Sequence, residues 1–67
     1  MIAASLLDTV DADAVEVGDF IEVDGIVGEV TDVDDQTDII AITIENNTTG
    51  EVEQIPCFPT DRVNLFG

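Results

Sequence analysis

Sixteen Asp and Glu against a single basic side chain give this chain of 67 residues a formal net charge of −15, with no His and one Cys. So short a chain buries only about 60% of its unfolded surface, which leaves room for one core and excludes a second domain. Hydrophobic residues make up 45% of the composition, too many for a disordered acidic tail.

The reading is an all-β domain over 1–67, with a short lid segment at 1–14 and a five-stranded, strongly bent barrel at 15–66. In chain order, Ile2, Leu6 and Leu7 are spaced for one side of a short helical turn that would lid a barrel end. That apolar run is too short for a membrane span and no basic residue precedes it. Neither a signal peptide nor an anchor is expected, and a cytoplasmic chain is.

The stretch Val15–Val30, VEVGDFIEVDGIVGEV, alternates apolar and polar residues. Val15 and Val17 lead in, and Ile21 and Val23 share one face with Glu22 on the other. Asp24-Gly25 is a two-residue hairpin signal, because Gly tolerates the positive φ that such a turn requires. The next strand puts Gly28 and Val30 on one face and Val27, Glu29 and Thr31 on the other. A Gly inside a strand suggests a bend or a close backbone approach.

After a polar turn, Ile40, Ile42 and Ile44 recur at period two as the clearest inward stripe. The opposite face, Ile39, Ala41 and Thr43, is only half polar, as in a central strand covered on both sides. Asn46 to Gly50 closes a second hairpin, and the strand after it is expected to end at Pro56, which cannot donate to a ladder. Residues 57–61, CFPTD, read as a turn of tight helix before a last strand that points Val63 and Leu65 inward.

At VEVGDFIEVDGIVGEVTDV, TDIIAITI and GEVEQIP, the chain resembles the β-domain of small-conductance mechanosensitive channels. That domain is an Sm-like barrel of the wider Src-homology-3-like group. The shared features are a Val-Gly-Asp start, a hairpin, a Gly-x-Val strand and a late Ile-Pro, spanning Val15 to Pro56. The resemblance implies the barrel and no channel activity, since no membrane segment accompanies it. Cys57 departs from the Asn that usually follows Ile-Pro in the family. In size and style the chain also looks like small acidic phage-encoded proteins, which implies the host cytosol.

Chemistry is thinly represented. No His can act as a base, no Lys can form a Schiff base, and neither Ser5 nor Cys57 has a partner to activate it. No catalytic residue and no cofactor is assigned. Asp32, Asp34, Asp35 and Asp38 crowd one turn, but an EF-hand starting at Asp32 would need Gly and Glu where Thr37 and Thr43 stand. No dedicated metal site is assigned.

Phosphate backbones are held by Lys and Arg through counterion release, so direct nucleic-acid binding is not expected from this composition. The same charge repels anionic membranes. Self-repulsion should weaken the compact state, and stability should rise with salt or on acidification.

A basic partner protein is the expectation that remains, steered by charge onto a non-enzymatic interaction module, with nucleic-acid mimicry as one form of it. The competing readings are a salt-adapted solvated surface, and a virion-type assembly part that oligomerises through strand edges. Interaction candidates are the outward acids Glu22, Asp24 and Glu29, the aromatics Phe20, Phe58 and Phe66, and Arg62. The aromatics either cover a barrel end or anchor a partner. Arg62, beside Asp61, is expected to pair with a neighbouring carboxylate.

Overall fold

A computed structural model describes residues 6–66. Its strands are β1 (Leu6–Asp11), β2 (Phe20–Val23), β3 (Ile26–Gln36), β4 (Ile39–Asn46), β5 (Val52–Cys57) and β6 (Arg62–Phe66). A 3-10 turn at Ala12–Ala14 is the one helical piece among the described residues. All pairings are antiparallel, in one six-stranded sheet of order β1-β6-β2-β3-β4-β5.

The chain is therefore all-β, but the expected five-stranded, strongly bent barrel is corrected to a six-stranded sheet that does not close. The additional strand is β1. Leu6 and Leu7, expected in a helical turn, belong to β1 and lie along β6; residues 2–5 of that turn fall outside the described residues. A short isolated helix is marginal in water, whereas the edge of β6 offers a ladder, and the β-branched Thr9 and Val10 suit it. Val10 faces Val63 and Asp11 faces Arg62 across that ladder.

The alternating Val15–Val17 lead-in is not a strand. Val15 is buried while Val17 is 63% exposed. A turn intervenes: the Asp19 N–H donates to the Glu16 carbonyl at 3.1 Å, and the Glu16 N–H to Asp19 Oδ2 at 2.9 Å. Local bonds from an Asp side chain outcompete the pleat here. The hairpin at Asp24-Gly25 forms as read, with φ of 55° and 79° joining Val23 to its partner Ile26.

Within β3, apolar residues run Gly28, Val30, Val33, a spacing that breaks period two. The ladder absorbs the extra residue: Val30 pairs with Ile44 and Asp32 with Thr43, leaving a bulge at Thr31. Val33 thereby returns to the core side, where it packs against the buried cluster. Gly28 is required where it is, because a Cβ there would meet the Glu45 carbonyl oxygen and lie 2.6 Å from Ile44 Cγ2.

β5 continues through Pro56 to Cys57, past the expected stop. Pro56 is tolerated because β5 ends the sheet, so its missing N–H can face away from the ladder. The expected tight helix at 57–61 is a plain turn, closed by the Asp61 N–H on the Phe58 carbonyl at 3.0 Å and by the Phe58 N–H on Asp61 Oδ2 at 2.9 Å.

One face of the sheet carries Ile21, Val30, Ile40, Ile42, Ile44, Ile55, Cys57 and Val63, all buried, with Ala12 and Val15 packed into the same cluster. Among the described residues no second sheet or long helix covers this face, so the sheet must curve over its own side chains. Each Ile or Val removed from water contributes about 1.5–3 kcal/mol. Leu65 and Val23, the expected inward partners of Val63 and Ile21, are half-buried at its margin. Ala41, on the other face, is also buried, consistent with β4 lying between β3 and β5.

Candidate interaction surface

Alternation along β2, β3, β4 and β6 sends Phe20, Phe66, Glu22, Glu29 and Glu45 to the face opposite the core. Register aligns them. Phe20 lies opposite Phe66 on one side and opposite Glu29 on the other, and Glu29 lies opposite Glu45. The two rings meet edge to face, with centroids 6.4 Å apart and planes at 75°. Both are half-buried, so they cover the sheet and still present part of each ring to solvent.

In the adjoining row Glu22 lies opposite Asn64, whose Nδ2 donates to Glu22 Oε1 at 3.0 Å, while Thr9 Oγ1 donates to Asn64 Oδ1 at 3.2 Å. Glu29 and Glu45 are exposed and directly opposed. Like charges facing each other across a ladder destabilise it. The one basic side chain of the sequence does not relieve them. Arg62 bonds Asp11 at 3.1 Å and the Thr9 carbonyl at 2.9 Å, so it pairs with a carboxylate as expected, though with Asp11 across the ladder and not Asp61 beside it.

The other candidates stand elsewhere. Asp24, at the tip of the β2–β3 hairpin, lines a cleft of about 270 Å³ together with Val23, Ile55, Cys57, Asp61 and Arg62. Phe58, 63% exposed, lines a neighbouring cleft of about 260 Å³ with Ile39, Pro56, Cys57 and Asp61. Cys57 forms the shared floor. Burial, then the charges of Asp61 and Asp24, push its thiol above the ordinary value of 9.0. A thiol so placed is held protonated at neutral pH, the opposite of what nucleophilic activation needs.

The acids of the β3–β4 turn do not converge. Asp34 Oδ2 accepts from Gln36 Nε2 at 2.8 Å and Asp35 Oδ1 from the Thr37 N–H at 3.2 Å. Among the described residues no group of His, Cys, Asp or Glu is arranged to hold a metal ion. No helix there is long and apolar enough to cross a membrane.

The sequence candidates thus separate into an outer aromatic and acidic row and a paired cleft around Cys57. Sequence reading missed Glu45, Asn64, Ile39 and Asp61. Each is recruited by cross-strand register, which the chain order does not display. No protein-family model, curated protein or solved structure matches this chain.

Proposed function

We propose that this protein is a non-enzymatic binding module that docks its acidic outer face onto a basic surface of a partner protein. The observation that carries the reading is the uncompensated Glu29–Glu45 opposition beside the Phe20–Phe66 pair. A protein that needed only solubility gains nothing from two glutamates facing each other across one ladder. A cationic side chain of a partner, seated between them and against the ring edges, converts repulsion into attraction and is steered there by the overall field. The half-exposed rings would supply the apolar anchor that charge alone lacks.

Nucleic-acid mimicry is one form of this reading, in which the partner's basic groove ordinarily holds phosphates. The kinship with Sm-like barrels and the phage-type, cytoplasmic setting belong to the same proposal. The residues that carry that resemblance fall largely on β2 to β5.

Affinity capture from a bacterial lysate, washed with rising salt, tests it. Basic proteins should be retained at low salt and released in the wash. Retention should fall for a Glu29→Gln, Glu45→Gln double variant. Capture of nothing basic, or capture unchanged by the double variant, would overturn the reading.

A further inference from the structure

Among the described residues no strand lies beside the outer side of β5, and its backbone parity is set by the Asn46 N–H donating to the Glu51 carbonyl at 2.7 Å. With Glu45 opposite Val52 and Ile42 opposite Ile55, residues 51, 53, 55 and 57 direct their peptide groups to β4. Val52, Gln54 and Pro56 direct theirs away from it. The free edge therefore offers the N–H and C=O of Val52 and of Gln54, and the C=O alone of Pro56. Side chains of all three are exposed.

At the end of this edge lies the apolar cleft of Ile39, Pro56 and Phe58, in which Ile39 is 40% and Phe58 63% exposed. Carboxylates surround the track: exposed Glu51 and half-buried Glu53 on the β5 side, and exposed Asp61 in the cleft wall. Building on the function proposed above, we infer that β5 receives an extended Lys- or Arg-bearing segment of the partner as an added strand. One apolar side chain of that segment fills the Ile39–Phe58 cleft.

Main-chain bonds to Val52 and Gln54 give affinity, and the cleft and the flanking acids give selectivity. Charge complementarity chooses this occupant. A second copy of the chain would bring Glu51 and Glu53 against its own acids and join two bodies of net charge −15. Nucleic acid and anionic lipid are repelled for the same reason.

The test is an amide-resolved NMR titration of the intact protein with a short synthetic peptide alternating Lys with Val and one Phe. The comparison peptide has the same sequence N-methylated at alternate residues, which keeps its charge and removes its pairing donors. Shifts should concentrate at 52–55, Cys57, Ile39 and Phe58. Affinity should fall about tenfold on N-methylation, as expected for losing a pair of hydrogen bonds, and again in Phe58→Ala, whose side chain is too exposed to be needed for folding.

Equal affinity of the methylated peptide would overturn strand addition. So would shifts confined to Phe20, Phe66, Glu29 and Glu45, although that result would leave the acidic-face reading standing. No binding of either peptide at low salt would sink both.

Discussion

Replacing Glu45 by Lys sets the two links of the proposal, stability and binding, against each other. Glu29 and Glu45 are directly opposed and exposed on the outer face. Charges about 7 Å apart at the dielectric of water repel by about 0.6 kcal/mol. Screening with a length of about 8 Å reduces this to about 0.3 kcal/mol at physiological salt.

Reversing one charge removes that repulsion and installs an attraction of similar size, for a gain of about 0.5 kcal/mol, within the range measured for cross-strand pairs. In a domain of this size the gain raises Tm by about 2–4 °C. Thermal melts followed by circular dichroism, at low and at molar salt, check it. Glu45→Lys should melt higher than the parent at low salt, with the difference shrinking at molar salt, and should retain less basic protein in capture. A variant that melts lower, or one that gains stability and binds as well as before, would refute the assignment of this pair as a retained functional cost.

Gly28→Ala, which pushes a Cβ into the Glu45 carbonyl and Ile44 Cγ2, should cost about 2 kcal/mol of unfolding free energy, read from urea midpoints. Thr37 is a β-branched residue at φ 62°, in a turn closed by the Asp38 N–H on the Gln36 carbonyl at 2.6 Å. Thr37→Gly should stabilise the protein by about 0.5 kcal/mol, the relief of left-handed strain exceeding the entropy lost by Gly.

Because Cys57 is raised above 9.0 in the folded chain, the unfolded state loses its thiol proton first as pH rises. Its contribution to stability is full below the unfolded pKa and is lost as pH climbs through the folded one. No Lys or Tyr side chain titrates nearby, so urea midpoints of the parent should hold through pH 8 and drop above about pH 9. Cys57→Val should flatten that drop.

The elements legible in the sequence were those whose signal is local. Ile40, Ile42 and Ile44 announced β4 by period alone, and Asp24-Gly25 announced its hairpin because few other pairs accept two positive φ values. What stayed hidden depends on distant partners. Leu6–Asp11 became a strand because β6 was available to it, and Val33 faces the core only because the ladder with β4 absorbs Thr31.

The candidate surface divides in the same way. Phe20, Glu22, Glu29 and Phe66 were readable from alternation, once Ile21, Val23, Val63 and Leu65 were placed inward. Glu45 and Ile39 acquire their meaning from what lies across from them, which register alone supplies. Pro56 looked like an end of strand because its ring removes a donor. That rule applies to interior strands, and β5 is at the margin of the sheet.

The lone thiol has a use apart from any partner. Cys57 is 5% exposed and lies beneath the clefts that separate β5 from the tip of the β2–β3 hairpin. Burial limits its access to the cleft floor, so alkylating reagents reach it faster as that seam parts. The rate of labelling is thus a native clock for breathing at one margin of the sheet. It needs no engineered probe and can be read in the untouched protein, with or without a guest on the edge.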